Sequence, residues 1–97
     1  MEKYALLARL EAKSGKEEEV AAFLKSALPL VLDEPDTVNW YGWQIGASTF
    51  GIFDTFETEE VRKAHLAGRI AEALMANAVA LLSKGPVIEF FELLAVK

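Results

Sequence analysis

The chain has no cysteine and a single histidine among its 97 residues. Without cysteine there is no disulfide, no thiolate nucleophile and no zinc knuckle. Its apolar segments are short, and none approaches the roughly 20 apolar residues that a membrane-spanning helix needs. The start of the chain, MEKYALL, lacks the charge and apolar pattern of a signal peptide. These absences favour a cytoplasmic protein that has no membrane partner.

Basic residues are few and scattered. Ten Lys and Arg stand against 15 Asp and Glu, and the formal net charge is −5. Nucleic acid binding needs clustered basic side chains, so the composition argues against it. Hydrophobic residues make up 53% of the chain, above the usual level of about 45–50%. A chain of this length predicts one domain over residues 1–97, whose surplus apolar surface needs a partner subunit or a ligand pocket.

Hydrophobic periodicity predicts four strands, over residues 3–11, 37–45, 49–57 and 87–96. A helix follows the first strand. It is predicted to begin at a capping box, Ser14-Gly15-Lys16-Glu17, in which the Ser14 hydroxyl accepts from the Glu17 amide. It ends at the Glu34-Pro35-Asp36 turn. A short helix over 59–66 and an apolar helical stripe from Ile70 to Leu82 separate the third strand from the fourth.

This order of elements predicts an α+β fold, the ferredoxin-like βαββαβ sandwich with a four-stranded antiparallel sheet. Both helical regions then cover one face of the sheet. The other face carries apolar residues such as Phe53, Trp40 and either Leu6 or Leu7. An open apolar sheet in water is an association site, so we expect a homodimer that packs sheet against sheet.

One segment, FGIFDTFETEEVRKAHL at residues 50–66, joins an apolar strand with one acid, Asp54, to a helix with the only histidine, His65. A carboxylate in an apolar row is costly unless it is paired or functional. A carboxylate beside an imidazole fixes its tautomer and keeps it basic. Asp54 and His65 are therefore the candidate catalytic residues, with His65 as base and Asp54 as its orienter. A purely structural His–Asp pair is the alternative.

The turn at Gly46–Ser48 decides which side chains join Asp54. A turn of two or four residues pairs positions whose numbers have an odd sum, and cross-strand neighbours share a face. On that register Asp54 shares a patch with the candidate substrate-binding residues Asn39, Tyr41, Trp43 and Phe56. The rings suit a flat hydrophobic small molecule, and Asn39 or Tyr41 could donate a hydrogen bond. A three-residue turn would bring Trp40 into the patch instead. For Tyr41 and Trp43 a place in the core is the more common role of such residues and is the alternative to ligand contact.

The acid, any residue, aromatic pattern of Asp54 and Phe56, followed by Ala64-His65-Leu66, resembles the antibiotic biosynthesis monooxygenase domain. The opening LLARLEAKSGKEEEVAAFL and the Glu-Pro-Asp turn are also similar to that family. The resemblance covers essentially the whole chain. It implies a dimeric α+β barrel in which two sheets face each other, with a pocket between sheet and helices in each subunit.

The resemblance also implies an activity. Some members oxidise polycyclic phenols to quinones with O₂ and use no metal or other cofactor, so the chain is interpreted as a cofactor-free monooxygenase. It departs from the family at three positions. Phe56 replaces a usual Trp, and Ile52 replaces the Asn of phenol-oxidising members. Met75 stands where haem-degrading members carry a histidine, which argues against haem.

The competing hypothesis is a non-catalytic dimer of the same fold, which binds a hydrophobic molecule or fills its pocket with its own side chains. Cavity volume separates the two. An enzyme for an aromatic substrate needs an open cavity of a few hundred Å³ in contact with His65, whereas a filled space favours the non-catalytic protein.

Overall fold

The computed structural model describes residues 2–97. In that range the elements are β1 (Tyr4–Glu11), α1 (Glu17–Leu32), β2 (Thr37–Ile45), β3 (Thr49–Phe56), α2 (Glu59–Leu66), α3 (Arg69–Leu81) and β4 (Val87–Glu92). The strands form one antiparallel sheet in the order β2-β3-β1-β4. This confirms the predicted ferredoxin-like α+β fold. Strand β4 is shorter than predicted because its last partner, Tyr4, is the first residue of β1.

The capping box predicted at the start of α1 is not formed. Gly15 has a φ of +85°, which is not helical, so the helix begins only at Glu17 and its N-cap is Lys16. Ser14 therefore precedes the N-cap residue, and Lys16 itself makes no side-chain capping bond. The acidic side chains of Glu17, Glu18 and Glu19 lie in the first turn, where the helix dipole favours negative charge.

Helix α1 is the longest helix of the described chain at 16 residues, and it contains Pro29 near its C-terminus. The chain leaves this helix at Asp33, and the backbone amide of Glu34 donates to the Val31 carbonyl at 2.8 Å. Within residues 2–97, no helix combines the length and the apolar character required to cross a membrane.

The hairpin between β2 and β3 has a three-residue turn, in which Ile45 pairs with Thr49 and Gly46 takes a left-handed φ of +70°. Paired positions from Asn39 to Ile45 therefore have even sums, and the odd-sum register predicted from the sequence is wrong. Trp40 pairs with Asp54. Asn39, Tyr41 and Trp43 are thereby moved to the opposite face of the sheet.

The sheet separates a buried core from an open apolar face. On the helix side, Leu10, Phe50 and Ile52 are buried against α1 and α3, mainly against Val20, Leu24 and Leu74. On the other side, the ring of Phe53 lies 6.4 Å from that of Tyr41 and 6.5 Å from that of Phe91, measured between centroids. Trp40, expected on this open face, packs instead against the core on the helix side.

Candidate active site

Asp54 lies in the middle of β3, on the face covered by the helices. It follows Phe50 and Ile52 and precedes Phe56 in the same inward row, and all four side chains are buried. Its cross-strand neighbours are Leu6 on β1 and Trp40 on β2. A carboxylate with such surroundings needs a compensating partner.

That partner is His65 on α2. Thr58 caps this helix, since its hydroxyl oxygen accepts from the amide of Val61 at 3.1 Å. The capped helix directs His65 onto the sheet, where Nε2 lies 2.9 Å from Asp54 Oδ2. The imidazole also packs on Phe56, with 5.1 Å between ring centroids. The structure thus brings together three of the residues singled out from the sequence.

A second carboxylate, Glu34, lies on the other side of the imidazole. Its Oε1 is 2.8 Å from His65 Nδ1 and accepts from the Thr37 hydroxyl at 3.0 Å. Sequence reasoning missed this residue, because it assigned Glu34 only to the turn that ends the first helix. The signal was weak: Glu34 and His65 are separated by 31 positions, and only the docking of α2 beside that turn brings them together.

The two titratable groups of the central pair are both shifted toward their protonated forms. Burial raises the pKa of Asp54 above the ordinary value of 3.8, against the lowering effect of His65, and the charge of Glu34 adds to the rise. For His65, burial acts to lower the pKa, but the hydrogen bonds and charges of Asp54 and Glu34 outweigh it and raise the pKa above 6.5.

The remaining candidate substrate-binding residues lie away from this pair. Asn39 donates from Nδ2 to Glu2 Oε2 at 2.8 Å. Tyr41 stacks on Phe53 in the open face. Trp43 lies over Gly51 on that same face, and the guanidinium of Arg9 is 5.8 Å from the centroid of its ring. The predicted patch of these residues with Asp54 is therefore wrong, and the cause is the three-residue turn.

Trp40 occupies the position beside Asp54 that the sequence analysis predicted for Tyr41. Its Nε1 and the Oδ1 of Asp54 are both buried, and neither has a hydrogen-bond partner within residues 2–97. One is a donor and the other an acceptor, and they belong to directly opposed residues on neighbouring strands. A ligand oxygen that carries a hydrogen could satisfy both kinds of group.

The volume of open space differs between the two sides of the Asp54–His65 pair. Between the sheet and the helices α2 and α3, Asp54 and His65 border a cavity of about 40 Å³, whose other walls include Leu6, Ile52, Ile70 and Leu74. On the opposite side, Glu34 and His65 border a surface cleft of about 510 Å³. A third space, an apolar groove of about 430 Å³ between α1 and β2, is lined in part by Leu24, Leu28 and Trp43.

No group of three or more His, Cys, Asp or Glu side chains in residues 2–97 is arranged to hold a metal ion. The cluster of Asp54, His65 and Glu34 is not a metal site because of the way the carboxylates meet the imidazole. Asp54 and Glu34 contact different ring nitrogens of His65, so the three groups form a line rather than converging on one point.

The fold is the ferredoxin-like α+β fold, and solved structures of candidate antibiotic biosynthesis monooxygenases share it. A candidate antibiotic biosynthesis monooxygenase from Nitrosomonas europaea matches with a TM-score of 0.83 and 13% identity, over 95% of this chain and 90% of that one. Rv0793 from Mycobacterium tuberculosis matches with a TM-score of 0.85 and 13% identity, over 97% of each chain. Likeness at this identity shows the fold alone.

One relative is much more similar. NE2512 from Nitrosomonas europaea, a protein of unknown function, shares 57% identity and a TM-score of 0.97, over 100% of this chain and 94% of that one. The chain therefore belongs to the same family as NE2512. It matches no protein-family model and no curated protein.

Proposed function

We propose that this protein is a cofactor-independent monooxygenase of the antibiotic biosynthesis monooxygenase type, which oxidises a small hydroxylated aromatic compound such as a quinol with O₂. One observation carries the proposal. Asp54 keeps a buried carboxylate oxygen without a partner in the described chain, beside an apolar cavity. Such a group costs stability, and perturbed carboxylates of this kind cluster at functional sites.

The first proton acceptor in this proposal is Asp54. The sequence analysis assigned the base to His65, but both nitrogens of its imidazole are already within 2.9 Å of carboxylate oxygens. A substrate proton cannot reach a ring nitrogen without displacing one of them. Asp54 Oδ1 is free to accept it, and because burial raises the pKa of Asp54, this carboxylate is a stronger base than an exposed aspartate. His65 then acts through Asp54, since its Nε2 lies 2.9 Å from Asp54 Oδ2.

The reaction balances with O₂ as the oxidant. Asp54 takes the proton of a phenolic hydroxyl, and the resulting phenolate transfers one electron to O₂. The two radicals combine through a new carbon–oxygen bond, and Asp54 returns its proton to the distal oxygen to give a hydroperoxide. Loss of water, made from that OH group and the hydrogen on the same ring carbon, breaks the O–O bond and leaves the second carbonyl of the quinone.

The negative oxygen that forms during proton transfer needs a hydrogen-bond donor. Asn39 and Tyr41 lie on the wrong face for this role. The indole N–H of Trp40 is a buried donor with no partner in residues 2–97, on the strand opposite Asp54. We therefore assign Trp40 as the donor and Phe56, which supports the imidazole ring, as a positioning residue.

The cavity beside Asp54 and His65 is small for an aromatic substrate. A buried cavity that binds benzene measures about 150 Å³, and the cavity beside Asp54 and His65 holds about 40 Å³. An aromatic substrate must therefore displace apolar side chains of the lining, such as Ile70 and Leu74, when it binds. The small volume supports a second candidate function, a non-catalytic dimer in which the Asp54–His65 pair only anchors α2 to the sheet.

Both candidate functions include a homodimer built through the open face of the sheet. Tyr41, Phe53 and Phe91 form an aromatic row there, and Tyr41 is more than half exposed. An apolar face of this kind needs a cover. A second copy offers the same surface and satisfies two-fold symmetry.

The test is O₂ uptake by the purified protein with a panel of one-ring and two-ring hydroquinones. We expect uptake with at least one of them, and a loss of about 10²–10⁴-fold in Asp54→Asn, which keeps the shape of the side chain but removes the base. Tyr41→Phe is the matched control, since it removes a polar group from the opposite face and should leave uptake unchanged.

Three results separate the candidate functions. Uptake that Asp54→Asn abolishes supports the enzyme. Uptake that survives this substitution removes Asp54 as the base. No uptake above the autoxidation rate with any hydroquinone, in a folded dimer, supports the non-catalytic protein. Thermal unfolding monitored by circular dichroism shows whether each variant is folded, and His65→Gln provides a second variant of the same pair.

A further inference from the structure

We infer that Glu34 is a positioning residue that holds His65 as a doubly protonated imidazolium, so that Asp54 rather than His65 is left to exchange a proton with the cavity. The geometry carries this inference. Asp54 Oδ2 lies 2.9 Å from Nε2, and Glu34 Oε1 lies 2.8 Å from Nδ1. An ionised carboxylate only accepts hydrogen bonds, so each contact requires an N–H group at that nitrogen.

A neutral imidazole cannot meet this requirement, because it carries one N–H and one lone pair. Its lone pair would face a carboxylate oxygen at hydrogen-bond distance. The ring must therefore carry both protons, or one carboxylic acid must be protonated and donate to the ring. The raised pKa of His65 agrees with the first arrangement and the raised pKa of Asp54 with the second, so the inference rests on the two contacts and on the solvent-side position of Glu34.

The three groups are graded from the interior to the surface. Their side chains are 3% exposed for Asp54, 8% for His65 and 23% for Glu34. Glu34 borders the surface cleft of about 510 Å³, while Asp54 borders the small cavity of about 40 Å³. The carboxylate that is easier to solvate thus lies on the solvent side, where its negative charge costs less.

Other charged groups surround the cleft but belong to different contacts. Arg69 on α3 lies 3.8 Å from Asp33, and Asp36 and Glu60 complete the charged lining. The close contacts of the imidazole nitrogens are with Asp54 and Glu34. Thr37 steadies Glu34 through the hydrogen bond of its hydroxyl to Oε1 at 3.0 Å.

The test uses the fact that His65 is the only histidine of the chain, so its imidazole signals are unambiguous in ¹⁵N NMR. In the unaltered protein at neutral pH we expect two protonated ring nitrogens and a titration midpoint above 6.5. Glu34→Gln keeps an oxygen that can accept from Nδ1–H but removes the charge. We expect it to lower the midpoint by at least about one pH unit, a tenfold change in proton affinity.

Glu60→Gln is the matched control, because it removes one negative charge from the same cleft without a contact to the imidazole. It should leave the midpoint within a few tenths of a unit. One protonated and one unprotonated ring nitrogen at neutral pH in the unaltered protein would overturn the inference. An equal shift in Glu34→Gln and Glu60→Gln would also overturn it.

The catalytic consequence rests on the proposed oxygenase function, whereas the NMR titration does not. If O₂ uptake is found, Glu34→Gln should move its pH profile in the same direction as the imidazole midpoint. If no uptake is found, the titration still decides whether Glu34 holds the imidazolium. Failure of the proposed function and failure of this inference are therefore distinguishable.

Discussion

Trp40 and Asp54 lie directly opposite each other in the pairing of β2 with β3, and each has one buried polar atom with no partner within residues 2–97. Both atoms are costly to bury in this state, by about 1–3 kcal/mol each. A donor and an acceptor on opposed residues of one sheet face are the two groups that the hydroxyl of the proposed substrate would satisfy.

Trp40→Phe tests the donor role of Trp40. The substitution removes the indole N–H and retains an aromatic ring against the core. We expect O₂ uptake to fall by about 10²–10³-fold, the range seen when one donor to a developing oxyanion is lost. The free energy of unfolding should change little, because a lost unsatisfied donor offsets lost packing. Equal uptake in Trp40→Phe and the unaltered protein would remove Trp40 from the site.

Phe53→Asp tests the open face of the sheet. Phe53 lies between the rings of Tyr41 and Phe91, so a charge at this position would be buried without a partner in a dimer that packs sheet against sheet. We expect monomers by size-exclusion chromatography with light scattering. The control is Val79→Asp, which adds the same charge at an exposed position on α3. A dimer that persists in Phe53→Asp would contradict the proposed interface.

Gly51→Ala tests the close contact beneath Trp43. A Cβ at this position would overlap the indole ring and lie 2.5 Å from the carbonyl oxygen of Ala8. The backbone oxygen cannot move away easily, so we expect the free energy of unfolding to fall by about 1–3 kcal/mol in urea denaturation. Gly85→Ala is the control, since a Cβ there meets nothing within 4 Å. Equal stability in the two variants would show that the sheet adjusts freely.

The pH dependence of stability tests the shifted pKa values of the central pair. The pKa is raised for both Asp54 and His65, so the folded state binds protons more tightly than the unfolded state. Such a contribution is fully present below the unfolded pKa and is lost as pH rises through the folded pKa. Above about pH 6.5 we therefore expect the free energy of unfolding to fall with rising pH, by at most about 1.4 kcal/mol per unit for one group.

Urea denaturation at a series of pH values above 6.5 measures this slope. Most exposed carboxylates are fully ionised in that range and contribute little. His65→Gln removes the only histidine and should flatten the slope. A free energy of unfolding that rises with pH in the unaltered protein would contradict the raised pKa of His65. A falling slope that persists unchanged in His65→Gln would also contradict it.

The fold could be predicted because it follows from local and repetitive signals. Alternation of apolar residues in the strands and the apolar stripes of the helices set the number and order of elements. Threonine is a common N-cap residue, and the hydroxyl of Thr58 does cap α2. The capping box predicted at Ser14 is wrong, because Gly15 takes a left-handed conformation and the helix begins only at Glu17, with Lys16 as its N-cap.

The candidate site could be predicted only in part. Asp54 and His65 lie close in sequence and are joined by one strand-to-helix turn, so their contact at 2.9 Å was accessible to reasoning. Which residues of β2 lie beside Asp54 could not be decided from the sequence, because a single additional turn residue exchanges Tyr41 for Trp40 at that place. The catalytic roles of Asp54 and His65 remain predictions.

By itself the sequence determined the ferredoxin-like architecture and the joining of one acid to the only histidine, because hydrophobic periodicity and short connections act locally. Only the tertiary structure decided that Trp40 faces the helices and that Glu34 closes the far side of the imidazole. Register and helix docking are settled by how the whole sheet and its helices exclude water, and a pattern within one segment does not contain that information.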